Sequence, residues 1–389
     1  MARCNCVALV GSAMGAASAL LPWLTVRSSR LAAGEGLGLL AAAGTVATVL
    51  VVGLWLASVR ASLGRPTARK SLFIGICGTL LLPSTLVVTG IAASDALVTA
   101  ESTARASLGS GVWLALIASY ILLHNARRQL SDRPLAQGIV TWSGPAAILV
   151  FGLLGFYNDL SLAQEFSGNE QRLAQETVRH LLLAFGSVGI GALIAIPLGI
   201  RAARSRGAER PIFAVASTLE TIPNLALFGL LIAPLSALSH AYPILRDIGI
   251  RGVGVTPALI ALVLYSLLPI VHNTYAGLKQ VSPAAMDAGR GMGMSRRQLA
   301  RRVEFPLAAP LIAEGVRTAS VQAVGNAAVA ALIGAGGLGH FIFQGLGQAA
   351  PDLILMGALP VIALALVTDT GMRLVVHGLT PRGMRPEEE

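Results

Sequence analysis

Residues 286–310 read MDAGRGMGMSRRQLARRVEFPLAAP, a strongly basic stretch set between long apolar runs. Just before it, Ser282 predicts the cap of a short helix whose first position is Pro283, where a missing N–H costs nothing because that group is unpaired in any first turn. Three glycines in five residues, Gly289, Gly291 and Gly293, end that helix, since each costs about 1 kcal/mol relative to alanine in a helix interior. Ser295 followed by Gln298 reads as a capping box opening a second short helix, Arg296 to about residue 305, which Pro306 is expected to stop. The stretch is a helix, a glycine turn and a helix, a polar elbow in an apolar chain.

Outward from the elbow, the chain is 389 residues long, 54% hydrophobic and only 12% charged, against roughly 25% charged in ordinary globular proteins. It belongs to the membrane class, and no polar stretch is long enough for a sizeable soluble domain. About 20 apolar residues cross a bilayer as a helix, which satisfies its own backbone hydrogen bonds. That rule predicts an all-α polytopic membrane protein of about ten transmembrane helices, near 7–26, 37–59, 71–93, 108–124, 138–157, 177–200, 211–238, 253–278, 306–333 and 352–373. Arg3 ahead of the first run admits a signal peptide, but Pro22 and Trp23 stand where small cleavage-site residues belong.

A formal charge of +10 can mean nucleic acid; here the basic residues lie in short loops between apolar runs, which excludes that reading and leaves the positive-inside pattern. Alternate loops hold 21 Lys and Arg on one side and six on the other. The richer side, with both termini and the elbow, is expected to be cytoplasmic. Cys4, Cys6 and Cys77 have no metal-ligand spacing.

The elbow resembles the cytoplasmic signature of binding-protein-dependent ABC importer permeases: Glu-Ala-Ala, three residues, Gly, nine residues, then Ile, any residue, Leu, Pro. Asp287, Ala288 and Gly289 take the first place, Gly293 the glycine, and Val303-Glu304-Phe305-Pro306 the ending, with Asp287 and Gly289 departing from the pattern. The resemblance implies a type I ABC importer permease core in a bacterial cytoplasmic membrane. It also implies that Asp287 to Gly293, with Arg296, Arg297 and Pro306 behind them, are the coupling helix seated in a cleft of an ATPase subunit. It covers 177–376, with the elbow at 280–305. The acidic stretch 158–176 is expected to be an outer linker, 1–157 an amino-terminal membrane extension of about five helices, and 377–389 a cytoplasmic tail.

Two motifs are decoys. GRPTARKS at 64–71 nearly matches a phosphate loop, but Arg69 stands where a glycine must let the backbone wrap a phosphate. GAGGLG at 334–339 matches a dinucleotide fingerprint letter for letter, yet follows a membrane helix and lacks the acidic residue about 20 positions on. In context, IGAGGLGHFIFQGL and ETIPNLALFGLL (220–231) resemble segments of glycine betaine, carnitine and choline importer permeases. The resemblance of the first implies a re-entrant turn of Gly336, Gly337 and Gly339 near the solute path.

Polar groups within spans face protein or water, because lipid penalises them. Glu220, Pro223 and Asn224 interrupt one span, while Gln322 and Asn326, four apart, share a helix face in another; these five are candidates for lining the path, with helix packing the alternative. Glu314 and Arg317, three apart, are expected to pair.

The expectation is a transporter subunit, not an enzyme, that binds no cofactor and leaves ATP to a partner ATPase dimer. A separate extracytoplasmic solute-binding protein and a second permease, identical or paralogous, complete the expected assembly. The resemblance implies glycine betaine or a related quaternary ammonium solute; an amino acid or sulfonate importer, or a passive channel or secondary transporter, stay open.

Overall fold

The computed structural model describes residues 5–29, 32–64, 66–98, 100–101, 103–381 and 383. Cys4, the basic residues Arg3, Arg30, Arg65, Arg382 and Arg385 of the charge count, and the tail from 384 lie outside them. The chain forms two compact units, Met1–Gly168 with Gln348–Asp352, and Asn169–Gly347 with Leu353–Glu389.

The first unit runs α1 (Cys6–Ser18), β1 (Pro22–Arg27), β2 (Glu35–Gly38), α2 (Leu39–Ser62), α3 (Ala68–Val98), β3 (Arg105–Leu108), α4 (Ser110–Gln129), α5 (Pro134–Leu153) and α6 (Ser161–Gly168). Helices α1 and α3 pack on α4, and Trp23, Trp55, Leu81 and Leu122 are fully buried among them. The strands form an antiparallel sheet in the order β2-β1-β3. The all-α, polytopic expectation holds for the chain as a whole, and this small sheet is an addition to it within the first unit. Helix α1 ends at Ser18 and the chain turns into β1, where Leu24 and Val26 alternate with Thr25 and Arg27, the two-residue period of a half-buried strand.

The second unit runs α7 (Glu170–Arg204), α8 (Arg206–Thr221), α9 (Asn224–Ala241), α10 (Pro243–Asp247), α11 (Val255–Lys279), α12 (Pro283–Gly291), α13 (Arg296–Leu299), α14 (Phe305–Val329), α15 (Gly339–Gly347) and α16 (Pro351–Leu379), the last entering it at Leu353. Helices α7, α11 and α14 pack on one another through small buried residues, Ala184, Ala195, Ala261, Ala319, Ala323 and Ala327. Small side chains let helix backbones approach closely where lipid offers no hydrophobic drive to association.

Among the described residues, eight helical segments are long and apolar enough to cross a membrane: α2, α3, α5, α7, α9, α11, α13–α14 with its exit turn, and α16. Two of the ten expected spans are missing from that set. Helix α1 has only 13 residues, and α4 has the length but carries His124, Asn125, Arg127 and Arg128 near its end. The expected span 211–238 is broken into α8 and α9, because Pro223 holds Ile222 in an extended conformation at the junction. The stretch 158–176, expected as a linker, is mostly helical, comprising α6 and the first turns of α7. At 35 residues, α7 is longer than a bilayer requires, so its acidic first turns can stand clear of the apolar zone.

Candidate functional site

The elbow is built by its backbone. Pro283 takes the first position of α12, but the Ser282 side chain makes no capping bond, contrary to the reading of the sequence. At the other end, Gly293 has φ +78°, and its N–H donates to the Arg290 carbonyl at 2.9 Å while the Met294 N–H donates to the Gly289 carbonyl at 3.1 Å. These two bonds are a Schellman closure, which places its left-handed residue at the position Gly293 occupies. Gly289 is buried, and a Cβ there would come within 2.5 Å of Leu299, so the turn folds tightly onto α13. The capping box is complete: the Gln298 N–H donates to Ser295 Oγ at 3.3 Å and the Ser295 N–H to Gln298 Oε1 at 2.8 Å.

Pro306 does not stop the second helix. A π-helical turn over Ala300–Glu304 precedes it, and the chain continues as α14. A wider turn takes the proline ring off the carbonyl four residues back, the clash that ends an ordinary helix at proline. Asp287, Ala288, Gly293, Arg296, Arg297 and Pro306 are all exposed. Asp287 pairs with Arg290 at 2.8 Å, and Arg204 at the end of α7 pairs with Glu304 at 3.0 Å. Arg204, Arg290, Arg296, Arg297 and Arg301 face Glu304 around an open cavity of about 940 Å³. Five guanidinium groups, answered by Glu304 and by Asp287 on Arg290, leave this a positive bowl, complementary to an acidic surface and weakened by salt.

The interrupted span supplies a second arrangement. Asn224, the first residue of α9, donates from Nδ2 to Asn326 Oδ1 on α14 at 2.8 Å, a pair of residues 102 positions apart. The Tyr265 hydroxyl donates to the Ile222 carbonyl at 2.5 Å, taking up the backbone acceptor at the break. Glu220 and Pro223 are exposed beside it, and Gln322 is exposed one turn from Asn326. Glu314 and Arg317 pair at 2.6 Å, and Arg317 also reaches Asp369 of α16, which holds Arg373 in turn. Asp369 and Arg373 carry an i, i+4 charge spacing in the last span that would have flagged them.

The glycine turn is the third. Gly334, Gly336 and Gly337 all have positive φ. The Gly337 N–H donates to the buried carboxylate of Glu176 on α7 at 2.6 Å, and the His180 ring meets the Val324 carbonyl at 2.9 Å one turn along. A Cβ on Gly336 would strike Arg179 and Glu176, and one on Gly337 would press on His180. Glu176 falls in the stretch 158–176 expected as a linker, and His180 falls in the expected span 177–200, where nothing local marks a lone histidine as a partner of the glycine turn. Replacing Glu176 with alanine leaves a buried N–H without its acceptor, at a cost of about 1–3 kcal/mol. Glu176→Ala is expected to lower the thermal midpoint and speed amide exchange at Gly337, while Glu176→Gln, which keeps an acceptor oxygen, restores most of both.

Residues 195–381 match the family described as "Binding-protein-dependent transport system inner membrane component", and residues 3–163 match the N-terminal domain of ABC transporter permease YehY. The osmoprotectant import permease protein OsmW of Salmonella typhimurium is 41% identical over 217 residues, 56% of this chain and 96% of the relative. The carnitine transport permease protein OpuCB of Listeria monocytogenes is 39% identical over 224 residues, 58% of this chain and 95% of the relative. The choline transport system permease protein OpuBB of Bacillus subtilis is 36% identical over 228 residues, 59% of this chain and 98% of the relative. Each relative is used almost whole in covering little more than half of this chain, so none has room for a second unit of the size of the first one here.

Proposed function

The chain belongs to the family of binding-protein-dependent transport system inner membrane components, and we propose that it is the permease of an ATP-driven importer for glycine betaine, carnitine, choline or a related quaternary ammonium solute. The single observation that carries this reading is the elbow: a Schellman turn at Gly293 that leaves Asp287, Ala288 and Arg290 to Gly293 exposed beside a bowl of arginines, with Gly289 buried against Leu299. The elbow lies on the cytoplasmic side with both termini, and a dimer of ATPase subunits closes on ATP beneath it. Motion of the elbow passes along α13 and the π-turn into α14, which carries Gln322 and Asn326. Asn224, Asn326, Gln322, Glu220, Pro223 and the glycines at 336, 337 and 339 line or shape the path. A separate solute-binding protein delivers the solute to the opposite face, and a second permease, identical or paralogous, completes the pathway. ATP is bound by the partner, and this chain holds no cofactor.

The test is reconstitution in proteoliposomes with the ATPase and the solute-binding protein. Uptake of glycine betaine, carnitine and choline should require ATP and both partners and should exceed uptake of amino acids and sulfonates. Solute flux without ATP would refute the proposal, and a preference for amino acids would refute its substrate class.

A further inference from the structure

Strands β1 and β3 set Arg27 directly opposite Arg105 and Thr25 opposite Ser107. Opposite residues of an antiparallel pair share a face, as do residues two apart along a strand, so both arginines lie on one face with Ser107. The other face is apolar: Leu24 and Ala106 are buried with Ala92, Ala93 and Leu160. Two like charges placed opposite each other destabilise a ribbon unless counter-charges answer them. Here Glu165 of α6 and Asp352 in the first turn of α16, both buried, line the same small cavity as Arg27, Arg105 and Ser107. The Ser107 hydroxyl donates to Asp352 Oδ2, and Arg105 donates to Gln164 Oε1. Two guanidinium groups thus face two carboxylates, one of them carried by the connector that leads into α16.

That connector, Gln348–Asp352, belongs to the first unit although the chain on either side of it belongs to the second. It joins α15, which opens at Gly339 of the glycine turn, to α16. The shorter relatives are permeases without room for the first unit, so a hold on this connector is an addition to a device that works without it. We propose that the first unit is a clamp on the α15–α16 connector. Asp352, held by the Ser107 hydroxyl in the cavity that Arg27 and Arg105 also line, is its positioning residue, and the clamp sets how readily the glycine turn yields to arriving solute. This inference rests on the transport reading above.

In isolated membranes without partner proteins, a Ser107→Cys, Asp352→Cys chain, with Cys4, Cys6 and Cys77 replaced by serine, is expected to join through a short bifunctional thiol reagent. In vesicles holding all the partners, Asp352→Asn should lower the apparent KM for solute roughly fivefold, with the maximal rate changed less than about twofold. Asp352→Arg should do the same, and adding Arg105→Asp to it should return KM toward the wild-type value. If Asp352→Asn fails to accumulate, recovery of accumulation and KM in the charge-swapped chain supports the clamp. Absence of the cross-link, an unchanged KM in Asp352→Arg, or a swapped chain no better than Asp352→Arg would overturn it. The transport reading is judged on the wild-type chain alone: if that chain imports nothing with its partners, the reading fails whatever the cross-link shows.

Discussion

A Gly293→Trp chain is expected to insert into the membrane in normal amount and to import solute at no more than background rate. A Cβ at Gly293 would meet nothing within 4 Å, so the new side chain has room and the fold survives. The backbone is the obstacle: φ is +78°, a conformation that costs an L residue about 1–2 kcal/mol. The Schellman closure of α12 depends on that conformation, and an indole at the turn also projects from the surface proposed to seat on the ATPase. Asparagine, which visits the left-handed region more readily, is the control. Gly293→Asn should retain about half of the uptake, and wild-type uptake in Gly293→Trp would remove the elbow from the mechanism.

Gly339→Ala is expected to be the most destabilising single methyl in the second unit. Its Cβ would fall inside the van der Waals envelope of the Ala328 carbonyl oxygen, within the last turns of α14. No side chain can swing aside to make room, so α15 must lift off α14. Overpacking of this kind costs about 1–3 kcal/mol and more where backbone must move. The expected result is a loss of most mature protein from the membrane, with the remainder melting at lower temperature in detergent. Gly325→Ala, at an exposed position of α14 where a Cβ meets nothing, should accumulate normally and gain up to about 1 kcal/mol of helix propensity. Normal accumulation of Gly339→Ala would show that the contact between the glycine turn and α14 is looser than described.

The elbow was legible because its signals are local. Ser295 and Gln298 sit three apart and complete their box, and the glycine at 293 ends α12 as its spacing implied. Pro306 misled, since whether proline ends a helix depends on the preceding turn being able to widen, which the residue itself does not reveal. Acidic composition hid the helices of 158–176, although Ser161 to Phe166 are ordinary helix formers once the charge is set aside. The sheet was hidden because β1 falls at the end of the expected first span while β2 and β3 sit at the starts of the second and fourth, and strands of four to six residues are shorter than the window that detects a span. For Asn224 and Asn326, sequence marked both as polar groups in apolar helices, but their hydrogen bond joins residues 102 apart and only the packing of α9 on α14 reveals it. The same holds for Glu176 and Gly337, 161 residues apart.

The most direct test of the central claim is a cross-link from the tip of the elbow. Met292 is 70% exposed beside Gly293, so a Met292→Cys chain, with Cys4, Cys6 and Cys77 replaced by serine, can be joined to a cysteine in the docking cleft of the ATPase. In inverted membrane vesicles that take part in ATP-driven transport, the joined species should form and its yield should change when ATP is added. Vesicles that transport normally yet give no joined species with any cysteine of the cleft would contradict the account.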